Sequence, residues 1–559
     1  MSLNVKVNLG QNLLPTAAGV TAANAIGGAA GATYLADLLD TLFRLPTAGG
    51  AIDANAIAAA VGLDLADRIV SILTTGGYSI SPAIGSDNLD NIADGASYGR
   101  PTLAGASAAS TIGAAIGASV REKIKAIFGQ GDLLISVSTP VGFLWTSHPL
   151  VGHIWTDGNR NYRTDYDVSA KKPSGKTYYI SPTGNNSNDG LTPDTPFATL
   201  AYAVAKSDVV LIKARTGLYT QSKVMNVSGY INKSVGIIQY GDGDVTFSTH
   251  EALSWTLASG FTYTYKATLA SDPIEVLDTR SINVLDPSQY KNLAKVASIA
   301  AVEATPGSYF WDGTDVYVRL DDDAVPSSST WVLPSVGYNL YIYNPSTAIK
   351  VYLEGITLYG GSHGGIGIDG ITGTELYGKS VKQFFSFREG IRIKSTPTVI
   401  FQNCESAWNP NDDGLNYHSV TGPKVHAVEI DCRGHHNGYR AALDNNNGST
   451  IHDGNSIIRL NCSYWANKGP NVADVHTLTQ SWILGGCAFD SDSGPLNLGP
   501  VDYAFNDGNP SIWMEGCRAY SSAKSAIFGT ATDIVAAKVR NCNFEIAAEV
   551  GALSSLVKY

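Results

Sequence analysis

Charge is scarce in this sequence. Asp, Glu, Lys and Arg make up 16% of its 559 residues, against about a quarter in an average globular chain. Basic excess is missing as well. A net charge of −11 leaves no basic field to neutralise phosphates, which argues against nucleic acid as the main partner. Cysteine is absent before Cys404, and no C-x-x-C pair occurs anywhere, so the cysteines are not expected to bind metal and no metal or cofactor is assigned. Long apolar runs are missing too. The stretch from Ala17 to Leu39 is interrupted by Asn24, Thr33 and Asp37, so no membrane span is expected. The opening MSLNVKVNLGQ has no basic segment followed by a dense apolar one, so any work outside a cell is expected to depend on a route other than an N-terminal signal.

What is abundant points to a repetitive β-protein. There are 58 Gly, and Asn, Ser and Thr recur between short apolar stretches, a composition suited to many tight turns. With 28 Tyr, 15 Phe and 9 Trp, disorder is a poor fit. The length calls for more than one core. Residues 1–130 are rich in Ala and Gly and echo themselves: LPTAAG at 14–19 returns as LPTAGG at 45–50, and ADLLDTLFR at 36–44 returns loosely as ADRIVSIL at 66–73. This region reads as short helices suited to attachment or assembly. Residues 131–175 read as a neck or linker, and 176–559 as the main domain. An excursion is expected at about 250–345, where FWDGTDVYVRLDDD (310–323) is a hairpin signal. Its Trp and Tyr residues are read as the core of a small β-subdomain rather than as a sugar platform.

The six cysteines set the architecture. Cys404, Cys432, Cys462, Cys487, Cys517 and Cys542 recur at intervals of 25 to 30 residues in similar contexts, such as QNCESAW, LNCSYWA and EGCRAYS. Such a period fits one coil of a parallel β-helix, with one small thiol stacked inside each turn. The spacing needs no disulfide.

The start of the main domain carries a resemblance. The strand Tyr178–Ser181 is followed by Ser187–Gly190, Thr192, Pro193, Pro196, Phe197, Thr199 and Leu200, then a short helix near 198–205. This resembles the opening of pectate-lyase-like β-helix domains, where the helix caps the first coil. The resemblance implies an all-β, right-handed, single-stranded parallel β-helix, preceded here by a small, mainly helical N-terminal region.

Polar residues concentrate in three successive coils. The first holds Asp412, Asp413, Asn416, Tyr417 and His418. The second holds His435, His436, Tyr439, Arg440 and Asp444. The third holds Trp465, Lys468, Asp474 and His476. Aligning the coils on their cysteines places His418, Asp444 and His476 in nearly one column, with Asn416 and Asp474 in the neighbouring outward one. Glycoside hydrolysis needs two carboxyl groups. Asp413 and Asp444 are the leading pair, with Asp412 and Asp474 as substitutes and His418 in a supporting catalytic role. Asn416, Tyr417, His435, Tyr439, Arg440, Trp465, Lys468 and His476 are the candidates for holding sugar. The same residues serve a lyase reading, with His418 or Tyr439 as base and Arg440 or Lys468 neutralising a uronate. NPNDDG is similar to the NTD and DD segments of polygalacturonase-like hydrolases, and GHH to their GHG. The match is partial, since His436 replaces the glycine and the two aspartates are adjacent.

The order of segments resembles a bacteriophage tailspike. That resemblance implies a homotrimer on the virion. It would be joined to a phage tail or baseplate protein through residues 1–130 and would bind and cleave a bacterial surface polysaccharide. The expected activity is glycoside hydrolysis, the alternatives being a polysaccharide lyase and a non-catalytic receptor-binding spike or adhesin.

Overall fold

The computed structural model describes residues 134–158, 160–220, 231–335, 337–441, 446–492, 500–529, 535–546, 549–550 and 553–558. The helical reading of 1–130, and the attachment role placed there, lie outside these residues, as does Asp444. Strands Ile135–Ser136, Ile154–Thr156 and Tyr162–Thr164 form a small sheet, the first two antiparallel.

From Thr177 the chain winds into a parallel β-helix with three faces. Face I stacks the strands Lys350–Glu354, Glu375–Lys379, Thr398–Gln402, His426–Ile430, Ser456–Leu460, Gln480–Leu484 and Ser511–Glu515. Face II stacks Ile356–Tyr359, Lys382–Phe384, Glu405–Ala407, Arg433–His435, Ser463–Trp465, Cys487–Phe489 and Arg518–Tyr520. Face III stacks Tyr338–Tyr343, Gly364–Asp369, Ile391–Lys394, Leu415–His418, Ser449–Ile451, Val472–Asp474, Val501–Phe505 and Lys524–Phe528. Each coil is too thin to bury its own inner face, so burial comes only from stacking. The interior is a continuous column of Val, Ile, Leu, Tyr and Phe, each side chain contributing on the order of 25 cal/mol per Å² of apolar surface removed from water.

The cysteine contexts have a geometric cause. The corner between faces I and II is a left-handed backbone position, filled by Gly355, Ser380, Asn403, Asp431, Asn461, Gly485, Gly516 and Asn541. Asn, Asp and Gly tolerate this region best. The next residue turns inward, and there sit Cys404, Cys432, Cys462 and Cys517, all buried free thiols. Cys487 departs from this ladder. Gly486 follows the corner at Gly485, and Cys487 is one position later, paired with Ser463 and Arg518 on face II and only partly buried.

The corner between faces II and III repeats the device. Phe385, Trp408, His436, Ala466 and Asp490 take the left-handed position, and the residue after each starts an interior polar ladder. Asn409 Nδ2 donates to Asn437 Oδ1 (2.8 Å), Asn437 Nδ2 to Asn467 Oδ1 (2.8 Å), and Asn467 Nδ2 to Asn471 Oδ1 (2.8 Å). Asn471 Nδ2 donates to Asp502 Oδ1 (2.9 Å), which also accepts from the Ser522 hydroxyl (2.7 Å). Asp502 is fully buried, and burial pushes its carboxyl up to about 7. A carboxyl raised on folding stabilises the fold at low pH and loses that contribution as pH rises through its folded value. The window here runs from about 4 to about 7, and above it the buried charge costs on the order of 4 kcal/mol. Asp502→Asn keeps an oxygen for both donors. It is expected to raise the thermal midpoint by several degrees near pH 8 and leave it unchanged near pH 4. Equal shifts at both pH values would refute this reading.

Two stretches of the segment expected as a linker, within 138–153 and 164–172, lie along the outside of face I. Phe143 packs on Trp482 and Trp513 (6.0 and 5.7 Å between centroids), and Trp145 stacks on His426 (4.9 Å). Further along, Gln402 bonds Val168 N and Tyr166 O, and Lys172 pairs with Glu354 (2.7 Å). The strap therefore descends from late coils to early ones before the chain enters the first coil. There the opening motif works as a plug. Asn186 Oδ1 accepts from Ala198 N, Thr199 caps the helix Leu200–Val204, and Phe197, Leu200, Ala203 and Val204 close the core.

The excursion is a β-subdomain, as its hairpin signal implies. Ser308–Trp311 and Asp315–Arg319 pair antiparallel, within a sheet that includes Tyr265–Thr268. A second sheet joins Pro273–Ile282, Tyr290–Asn292 and Thr330–Pro334. It docks on the β-helix through Tyr359, Phe385 and Trp408.

Candidate functional site

The outer surface of face III carries a group of chemically active side chains. Its strands are short, so alternation decides what faces out. Arg392, Asn416 and Thr450 occupy one outward register, and Lys394 and His418 the next. In the first coils the same face is aromatic. The rings of Tyr338 and Tyr341 stack at 4.6 Å, and those of Tyr341 and Tyr343 at 5.8 Å. Gly367 makes this possible, because a Cβ there would meet the Tyr338 ring at 2.2 Å. The three tyrosines line a cavity of about 620 Å³ together with His363, Asp369 and Lys394. Tyr341 donates to Asp369 Oδ2 (2.8 Å), and Arg392 donates to the Tyr338 hydroxyl (2.7 Å).

Arg392 links the cavity to a carboxylate cluster. It pairs with Glu389 (3.6 Å), and Asp412 pairs with Arg388 at 3.9 Å. Burial, reinforced by Glu389, pushes Asp412 up to about 6. Asp413 is nearly enclosed. Asn416 Nδ2 donates to its Oδ2 (2.7 Å), and Asn447 N and Nδ2 donate to its Oδ1 (2.7 and 2.9 Å). Burial, then the neighbouring Asp412, hold its carboxyl well above the usual range. Asp412 is thus the more open member of the pair, and Asp413 and Asn416 fix the turn behind it. His418 stacks on His452 at 5.4 Å, and burial lowers it to about 4.

Several expected site residues are engaged elsewhere. Asp474 and Tyr417 point into the β-helix: both are fully buried, and Asp474 shares the inward column of Ile451 and Tyr417 rather than that of Asn416. The alignment on cysteines slips because the turns between faces II and III differ in length. His476 does not project beside Asp474, because its backbone is left-handed (φ 70°) and interrupts the alternation. Tyr439 and Arg440 anchor the excursion. Both reach Glu275, Arg440 at 2.5 Å, and Arg440 also donates to the Tyr309 hydroxyl (2.8 Å). Lys468 donates to Ala441 O (2.5 Å). His435 is buried, bonded to Glu405 (3.0 Å) and stacked on Trp465 (4.1 Å). These side chains hold structural contacts, and none of them lines the cavity.

Other residues of the surface escaped the sequence reading. Tyr338, Tyr341, Tyr343, Asp369, Glu389 and Arg392 precede the first cysteine, so a search keyed to the cysteine coils passes over them. The available signal was alternation: LYIY (340–343) and IRIK (391–394) place Tyr341, Tyr343 and Arg392 on one side and Leu and Ile on the other, though Tyr338 at the strand start does not follow it.

No protein-family model matches the chain, and no curated protein does. Among solved structures the chain is similar to pectate lyase Pel9A, at 12% identity over 70% of this chain and 81% of that one, with a TM-score of 0.41. It is also similar to a glycoside hydrolase, at 10% identity over 69% and 96%, TM-score 0.45. A complex of XylC with xylose matches at 9% identity over 68% and 70%, TM-score 0.39. At these identities the likeness brings no residue assignment and no substrate with it.

Proposed function

We propose that the outer surface of face III binds and cleaves a polysaccharide by glycoside hydrolysis. Asp412 is the general acid, and Glu389 is the second carboxylate. One observation carries this reading: Arg392 bonds both a tyrosine of the cavity and Glu389, a carboxyl that helps raise Asp412 to about 6. Aromatic faces suit sugar rings, and carboxyls with unlike surroundings divide into acid and base. Following the tailspike resemblance of the segment order, the substrate is a bacterial capsule, exopolysaccharide or O-chain, and the protein works as a homotrimeric spike on a phage tail. Arg392 and Lys394 beside His418 favour a second reading, a lyase acting on a uronate.

The test is incubation of the purified protein with surface-polysaccharide extracts from a panel of bacteria. New reducing ends without the ultraviolet absorbance of an unsaturated uronate are the expected result. Both signals together would replace hydrolysis by the lyase reading. Binding without either would leave a receptor-binding spike. Tyr341→Ala is expected to weaken binding of the cleaved glycan about tenfold, by removing the middle ring of the stack.

A further inference from the structure

The corner between faces III and I gathers three potential ligands from successive coils, outside the cavity and the carboxylate cluster. His452 and Asp453 end one face III strand, and His476 occupies the corresponding corner of the next coil. The ligand atoms of His452, Asp453 and His476 lie within 4.8 Å of one another. His452 Nδ1 is 2.8 Å from Asp453 Oδ2, and His476 Nδ1 is 2.8 Å from Asp453 Oδ1.

Two details separate this group from ordinary turn residues. First, His452 Nδ1 and Asp453 Oδ2 are both buried, and at 2.8 Å each has only the other beside it. With His476 Nδ1 on the other carboxylate oxygen, these atoms form a compact group of nitrogen and oxygen donors that a cation would satisfy together. Second, the far nitrogen of His476 lies 3.3 Å from Asp507 Oδ2, on the next coil. A carboxylate behind a ligating histidine fixes its tautomer and orientation, as in carboxylate–histidine–metal arrangements.

We infer that His452, Asp453 and His476 bind a divalent transition-metal ion, with Asp507 orienting His476. Two imidazoles and one carboxylate are a borderline ligand set that selects zinc, nickel or cobalt over calcium or magnesium. The ion would pin two coils together and leave coordination positions open to water, since the His476 side chain is 41% exposed. The site shares no residue with the tyrosine-lined cavity or the carboxylate pair, although His452 stacks on His418.

The test uses the full chain freed of metal with a chelator, then titrated with Co²⁺ and Zn²⁺. The expected result is about one equivalent bound per chain, a cobalt visible spectrum of mixed nitrogen and oxygen ligation, and displacement of cobalt by zinc. His452→Ala and His476→Ala are expected to lower affinity at least about a hundredfold, and Asp507→Asn about tenfold. Calcium is expected not to compete. Stoichiometry and spectrum require no variant, so a poorly folding substitution does not blunt the test. No bound cobalt or zinc, or binding unchanged in both histidine variants, would overturn the proposal.

Discussion

Asp412→Asn is expected to lower the rate of glycan cleavage by about 10²- to 10⁴-fold, the range over which a positioned general acid contributes, while glycan binding changes by less than about threefold. The amide keeps the size and the hydrogen-bonding capacity of the carboxyl, and only the transferable proton is lost. The pH profile supplies a second, independent readout. A general acid acts in its protonated form, so with Asp412 raised to about 6 the wild-type kcat/KM should fall along an alkaline limb centred near that value. Removing the negative neighbour should move the limb. Glu389→Gln takes away a charge that raises Asp412, so the residual activity of that variant is expected to show its alkaline limb at lower pH. A profile that keeps its limb in Asp412→Asn would assign the acid to another group. Asp413→Asn would then be the next variant, since Asp413 is the other raised carboxyl of this turn.

The sequence carried the fold further than the site, for a physical reason. Coil repetition is written in the chain as small residues at fixed corners, so QNC, LNC and EGC announce both the left-handed position and the inward residue after it. The opening motif is equally local, with its bonds running among residues 181–202. The site is different because it depends on register between coils. A shift of one residue exchanges inside for outside, and the turns between faces II and III do not keep a constant length. That is why Asp474 reads as a neighbour of Asn416 and yet points inward. The roles of Tyr439 and Arg440 were illegible for another reason. Their partner, Glu275, is more than 160 positions away on the excursion, and no periodicity links the two. Arg388, Glu389 and Arg392 are near in sequence to nothing that repeats, and acquire meaning only when Asp412 is stacked one coil above them.

Arg459→Ala is expected to destabilise the central coils by about 3–5 kcal/mol, the usual cost of leaving a buried charge without its partner. Arg459 has no exposed surface and lies in the inward column of face I, directly above Glu429. Its guanidinium donates two bonds to Asp474 on face III (2.6 and 2.9 Å), reaches the Ser449 hydroxyl (2.9 Å) and contacts Ser481 (3.2 Å). Ser449 donates to Glu429 (2.8 Å), and the Tyr464 hydroxyl of face II bonds the same carboxylate. One polar knot thus ties all three faces in a region otherwise filled by hydrocarbon. Truncating the cation strands two carboxylates at once, whereas Asp474→Asn strands none, and its cost should be clearly smaller. A coil contacts only its neighbours, so the loss should be local. Hydrogen exchange is expected to accelerate in the strands Ser449–Ile451, Ser456–Leu460 and Val472–Asp474, while the first coils near Val351 and Leu376 keep their protection. Replacing Arg459 with methionine and Asp474 with leucine together should recover part of the stability, since an apolar pair leaves only Glu429 to satisfy and Tyr464 and Ser449 already bond it. Global unfolding with uniform loss of protection would show that the coils do not behave as semi-independent units. A single substitution without measurable cost would show that water or rearranged hydroxyls replace the guanidinium inside the helix.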